Sequence, residues 1–134
     1  MQAYNSKFVR VVLFSNGVVD LIAALALFFP VLMLPLPGYT SYTSELAFVA
    51  GGWGIAAFTF GVGRIWTSFK PEFHRVMVIL GLIEGSILAT YCLINIFFFE
   101  ISLLQAALPL VVGSVYGILY LVALLRLLRF GKIG

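Results

Sequence analysis

Residues 71–99 read PEFHRVMVILGLIEGSILATYCLINIFFF and decide the fold of this chain. After its charged start, the stretch is almost wholly apolar over the roughly 20 residues that an α-helix needs to cross about 30 Å of hydrocarbon. Pro71 and Glu72 are typical of a helix start, because proline fits the first helical position and an acid favours the positive end of the helix dipole. The stretch therefore predicts a transmembrane helix.

Three further apolar stretches accompany it, so the sequence predicts an all-α, polytopic membrane protein with a bundle of four transmembrane helices. The chain is predicted to form a single membrane domain over residues 1–134, with helices at about 11–34, 46–66, 71–99 and 102–128. Pro35 and Pro37 are expected to end the first helix, since proline cannot continue one. Ser102 and Gln105 have the spacing of a capping box at the start of the fourth.

The composition excludes several classes of protein. With 63% hydrophobic and 10% charged residues, the chain has too little polar material to cover a water-facing surface. Its single Cys and single His are too few for a disulfide framework or for a zinc or iron–sulfur site. No long loop leaves room for a soluble catalytic domain. We therefore expect no enzymatic activity, catalytic residues, metal site or cofactor.

The basic residues predict how the chain crosses the membrane. All eight lie at or beyond the ends of the apolar runs: before the first, between the second and third, or after the fourth. Because cytoplasmic loops are enriched in Lys and Arg, this distribution predicts a multi-pass protein of the inner (cytoplasmic) membrane with both termini in the cytoplasm. The net charge of +3 then reflects orientation, and we expect no nucleic-acid partner.

Basic and aromatic side chains at these helix ends are expected to meet lipid headgroups. Long basic side chains extend towards the interface, and aromatic rings are enriched there. The predicted lipid and interface residues are Arg10, Arg64, Trp66, His74, Arg75, Arg126 and Arg129.

Two acids, Asp20 and Glu84, interrupt the apolar stretches. They lie ten residues after Arg10 and nine after Arg75, which places both about 14 to 15 Å inside the basic rim. An ionised acid near the bilayer centre is unfavourable by roughly 3 kcal/mol, and no Lys or Arg is expected at that depth. The simplest arrangement is a protonated acid that donates a hydrogen bond to a facing helix.

Polar neighbours for these acids are available on the same helix faces. Asn16 lies one turn before Asp20, while Tyr91 and Asn95 follow Glu84 at helical spacing. Thr59, Ser114, Tyr116 and Tyr120 are further candidates from the second and fourth helices. The predicted intramembrane polar site comprises Asp20, Glu84, Asn16, Tyr91 and Asn95.

This polar site has two interpretations. The first is structural, because hydrogen bonds between helices hold a bundle together where hydrophobicity cannot. The second is a proton or cation relay, or a binding site for a polar ligand, because ionisable groups at this depth are functional candidates.

Two patterns bear on packing. Shifting the chain by 64 residues aligns Gly17-Val-Val-Asp20 with Gly81-Leu-Ile-Glu84, which indicates either two tandem helical hairpins or a chance match.

The second helix carries small residues on two adjacent faces, which allows close approach of other helices. One face holds Ala50, Gly54, Ala57 and Gly61, and the other holds Gly52, Ala56, Thr59 and Gly63.

The stretches at 71–76, 81–85 and 117–126, PEFHRV, GLIEG and GILYLVALLR, give the chain a resemblance to small bacterial four-helix integral membrane proteins. In these proteins a charged turn separates two hairpins and a basic tail ends the chain. The resemblance implies a four-helix bundle and no catalytic residues.

Together these features predict a non-enzymatic membrane bundle. It would act as an accessory or scaffold subunit of a membrane complex, or as a self-associating bundle, with the lipid bilayer, further copies or other membrane subunits as partners. The alternative is a small proton- or cation-coupled transporter, or a channel, that works through Asp20 and Glu84.

Overall fold

The computed structural model of the protein describes residues 2–29 and 43–130. Four long helices account for nearly all of this part of the chain, which contains no β-strand. They are α1 (Gln2–Phe28), α2 (Ser44–Ser68), α3 (His74–Phe98) and α4 (Leu103–Phe130), with a 3-10 turn at Pro71–Phe73 leading into α3. The predicted all-α four-helix bundle is confirmed.

The helix bounds differ from the predicted ones mainly at the start of α1. This helix begins at Gln2 rather than at residue 11. The prediction followed the apolar run, but backbone hydrogen bonding continues ahead of it through Lys7 and Arg10, which are good helix formers. The predicted end of the first helix, with Pro35 and Pro37, lies outside the described residues.

The turn from α3 to α4 is defined by local hydrogen bonds. The Gln105 amide donates to Ser102 Oγ at 3.2 Å and the Ser102 amide donates to Gln105 Oε1 at 3.1 Å, which confirms the predicted capping box. On the other side of the turn, Glu100 adopts a left-handed conformation with φ 58°. The Ile101 amide then donates to the Asn95 carbonyl at 3.3 Å, so the chain folds back over the last turn of α3.

The bundle consists of two tandem hairpins, because α1 packs mainly along α2 and α3 mainly along α4. Glycines let the helices of each hairpin approach closely. A Cβ on Gly17 would lie 2.8 Å from the Gly61 carbonyl oxygen, and a Cβ on Gly85 would lie 2.9 Å from the Gly113 carbonyl oxygen. The hairpins meet chiefly where α1 contacts α4.

The outer surface of the bundle is apolar. Each helix exposes large apolar side chains along its length, including Ile22, Phe48, Ile87 and Ile118. Within residues 2–29 and 43–130, four helical segments are long and apolar enough to cross a membrane, and they are Lys7–Phe28, Ala47–Ser68, Pro71–Phe98 and Leu103–Arg129. Such a surface suits lipid rather than water, so the fold is that of a multi-pass membrane protein.

Candidate intramembrane polar site

Arg64 of α2 lies at the centre of the site, with only 1% of its side chain exposed. Its Nη1 is ion-paired with Asp20 Oδ2 on α1, and its Nη2 is ion-paired with Glu84 Oε2 on α3. One guanidinium therefore connects three helices through charge-assisted hydrogen bonds.

This arrangement corrects two predictions from the sequence. Arg64 was predicted at the lipid interface, and the two acids were predicted to have no cation at their depth. Both predictions are wrong, because the arginine extends into the bundle and pairs with both carboxylates.

Helix geometry explains the inward direction of Arg64. Side chains on an α-helix tilt towards its N-terminus. We call the end of the bundle that carries Lys7, Arg10 and Arg75 the basic end. The N-terminus of α2 lies at the opposite end, so Arg64 tilts away from the basic end. The helices α1 and α3 begin at the basic end, so Asp20 and Glu84 tilt towards it. The arginine and the acids therefore converge.

Asn16 and Tyr120 extend the site to the fourth helix. Asn16 Nδ2 donates to Asp20 Oδ1 at 3.2 Å, and the Tyr120 hydroxyl of α4 donates to Asn16 Oδ1 at 2.7 Å. The Tyr120 ring is fully buried and lies against Gly81, where any Cβ would overlap it. A continuous network therefore runs from Glu84 through Arg64, Asp20 and Asn16 to Tyr120, with a contribution from every helix.

The network is unequal in charge and in exposure. Two carboxylates share one guanidinium, so with both acids ionised the cluster has a net charge of −1. The Asp20 side chain is 14% exposed, whereas that of Glu84 is 47% exposed. The Phe60 and Tyr120 rings lie 5.5 and 5.9 Å from the guanidinium carbon, and Arg64 Nε has no hydrogen-bond partner among the described residues. Glu84 is the most exposed member of the network.

Two residues of the predicted polar site lie outside the network. Tyr91 is exposed, and Asn95 Nδ2 donates to the Tyr91 carbonyl at 2.8 Å rather than to an acid. Of the further candidates, Tyr120 joins the network, while the exposed Thr59 bonds back to the Ile55 carbonyl. The network therefore brings together Asp20, Glu84 and Asn16 of the predicted set.

His74 lies at the basic end, but the predicted contact of its side chain with lipid headgroups is not what the structure shows. Its side chain is buried, and Nε2 lies 3.2 Å from the Ser68 carbonyl oxygen at the end of α2. The short turn to α3 folds the ring back onto that helix end, where histidine interacts favourably with the last carbonyls.

The other predicted interface residues lie near the basic end. Arg10 is exposed, with its guanidinium carbon 4.4 Å from the centre of the Phe69 ring, and the half-buried Arg126 lies in the same way over Phe8 at 4.2 Å. Trp66, Arg75 and Arg129 are exposed. Their contact with lipid headgroups stays a prediction.

Arg64 is the residue of the network that the sequence did not predict. Its position four residues before the end of α2 is ordinary for an interfacial arginine. The available signal was the tilt of helical side chains, which directs a basic residue near a helix C-terminus away from that end. Phe60, one turn earlier on the same face, was missed for the same reason.

No group of three or more His, Cys, Asp or Glu side chains that would suit a metal ion occurs in the part of the chain that the structure describes. The site is therefore built from an arginine, two carboxylates, an amide and a phenol. Chemically it is suited to holding helices together by charge and hydrogen bonds, or to binding a charged group at Glu84.

No protein-family model matches the sequence, and comparisons with the curated proteins and with the solved structures give no match. The class of the protein is therefore defined by its fold and site, as a four-helix membrane bundle with a buried arginine–carboxylate network.

Proposed function

We propose that the protein is a non-enzymatic subunit of the inner membrane, with both termini in the cytoplasm, that acts as a scaffold or accessory component. It would associate with further copies of itself or with other membrane subunits. The observation that carries this proposal is the network from Glu84 to Tyr120, which links all four helices through one buried arginine.

Arginine keeps its positive charge under all ordinary conditions, so Arg64 is a permanent partner for both acids. A network of this kind fixes the relative positions of the helices. It also leaves the outer faces of the bundle available for contacts with other proteins.

The outer face of α2 supports association. Of its two small-residue faces, the one with Gly54 and Gly61 packs against α1. On the other, Gly63 lies near Met77 of α3 at the basic end, whereas Gly52, Ala56 and Thr59 are exposed. A Cβ on Gly52 would meet no atom within 4 Å. Exposed small residues at this spacing allow another transmembrane helix to approach closely.

The proposal is tested by the mass of the protein in lipid nanodiscs, measured by native mass spectrometry. We expect a species heavier than a single chain, and we expect Gly52→Leu to convert it to single chains, because the larger side chain keeps a second helix away. The matched control is Val62→Leu, at an exposed position on another face of α2, which should leave the mass unchanged. A single chain in the native sample, unaffected by Gly52→Leu, would contradict self-association.

We propose as a second candidate a small proton- or cation-coupled transporter. The supporting observation is the half-exposed Glu84 carboxylate, which belongs to a cluster of two carboxylates and one guanidinium. In proteoliposomes with a pH gradient, Asp20→Asn together with Glu84→Gln should then abolish the flux. Glu72→Gln, at an exposed acid in the 3-10 turn before α3, serves as the control. If the native protein gives no flux while nanodisc association is retained, only the scaffold proposal stands.

A further inference from the structure

One face of α2 becomes steadily more exposed with distance from the basic end. Thr67, Arg64, Phe60 and Trp53 follow one another at helical spacing on this face. Thr67 and Arg64 are buried, Phe60 is 41% exposed and Trp53 is 70% exposed. Since Phe60 packs on the guanidinium that holds Glu84, this face of α2 is directed towards α3.

The corresponding face of α3 shows the same trend. Met77 is half-buried and lies opposite Gly63, where a Cβ would be 3.6 Å from the methionine Cε. Glu84, seven residues further along, is 47% exposed, and Tyr91, after another seven, is 63% exposed. The two helices are therefore in contact at the basic end, and the rising exposure of their facing sides indicates a cleft between them in the other half of the bundle.

This cleft has a charged floor and aromatic walls. Its floor is the Glu84 carboxylate, which belongs to the cluster with a net charge of −1 when both acids are ionised. Its walls carry the exposed rings of Phe60, Trp53 and Tyr91. Aromatic faces attract cations, and a carboxylate in an apolar setting attracts them more strongly than it would in water.

From this geometry we infer that the cleft between α2 and α3 binds a lipophilic organic cation that enters from the bilayer, with its charge against Glu84 and its apolar body between the aromatic rings. The closed basic end favours a molecule shorter than the membrane over a partner helix, which would have to run the full span. This inference goes beyond the scaffold proposal, and it supplies a substrate class for the second candidate.

Tetraphenylphosphonium is a suitable probe, and tetraphenylborate is its matched control with the same shape and the opposite charge. The chain has two tryptophans, so Trp66→Phe leaves Trp53 as the single fluorescence reporter inside the cleft. Titration in mild detergent should show saturable quenching of Trp53 by the cation. Tetraphenylborate should bind at least about tenfold more weakly, because even a modest preference of the site for positive charge produces a tenfold difference in affinity.

Variants locate the binding site. Glu84→Gln should weaken binding of the cation at least about tenfold, whereas Glu72→Gln should leave it unchanged. Tyr91→Ala removes an exposed ring and should weaken binding severalfold without a change in the helical circular dichroism signal. Because Tyr91 is exposed, this variant remains decisive even if Glu84→Gln fails to fold.

Two results would overturn the inference. The first is equal binding of the cation and the anion, which indicates partition into the micelle alone. The second is unchanged affinity in Glu84→Gln, or in Tyr91→Ala if Glu84→Gln fails to fold, which places any binding elsewhere. Neither result depends on the mass of the assembly, so the scaffold proposal is tested separately.

Discussion

Arg64 is the residue that makes two acids in the apolar interior compatible with the fold. A carboxylate without a partner at this depth is strongly unfavourable, and so is a lone guanidinium. Pairing the carboxylates with the guanidinium reduces the unfavourable free energy of both kinds of group. Asn16 adds a hydrogen bond to the Asp20 carboxylate. Asp20 belongs to the hairpin of α1 and α2, and Glu84 belongs to the hairpin of α3 and α4. By pairing with both acids, Arg64 also connects the two hairpins.

Arg64→Met should therefore destabilise the protein by about 3 kcal/mol, because it leaves two acids in an apolar interior without their cation. The measurement is the unfolding free energy from titration with SDS in mixed micelles. Arg75→Met is the control, and its exposed side chain at the basic end should change stability by no more than about 0.5 kcal/mol.

A combined variant separates the loss of the cation from the loss of packing. Arg64→Met with Asp20→Asn and Glu84→Gln carries no uncompensated charge, so it should be more stable than Arg64→Met alone. Equal stability of Arg64→Met and Arg75→Met would show that the ion pairs contribute nothing to the fold.

At the scale of the helices, glycine contacts determine how closely each hairpin packs. Gly85 faces the backbone of Gly113 and Gly117 on α4, and Gly17 faces Gly61 on α2. In lipid the helices gain no hydrophobic stabilisation from association, so van der Waals contact between close backbones is the main attraction. Glycines elsewhere on α2, such as Gly52, have open space around them.

Gly85→Ala should weaken the packing of α3 on α4, because the new Cβ would lie 2.9 Å from backbone atoms of both Gly113 and Gly117. We expect a loss of about 1 to 3 kcal/mol in SDS unfolding, the usual effect of overpacking. Gly51→Ala is the matched control, because a Cβ there meets no atom within 4 Å; it should leave stability unchanged or raise it, since alanine favours helices. The same result for both variants would contradict the observed packing of this hairpin.

At the scale of the whole molecule, the sequence predicted the helices better than their contacts. Long apolar runs, Pro71 and the Ser102 capping box fix the number of helices and most of their ends, because these signals are local. The pairing of Asp20 with Arg64 is not local, since it joins residues 44 positions apart and depends on how two helices face each other.

The aligned motifs at Gly17 and Gly81 were a partial guide to this arrangement. Both glycines lie at close helix contacts, and the acid three residues after each is paired with Arg64. The central cation itself belongs to only one hairpin, so no comparison of the two halves would reveal it.

The central claim is that Arg64 holds Asp20 and Glu84 inside the bundle, and solid-state NMR in lipid tests it most directly. Asp20 is the only aspartate in the chain, so a 13C label at aspartate carboxyl carbons reports on this residue alone. With 15N in the arginine side chains, dipolar recoupling should place that carbon within about 4 Å of a guanidinium nitrogen. Arg64→Lys, which keeps the charge but removes the guanidinium, should abolish the coupling. Absence of the coupling in the native protein, or its persistence in Arg64→Lys, would contradict the account.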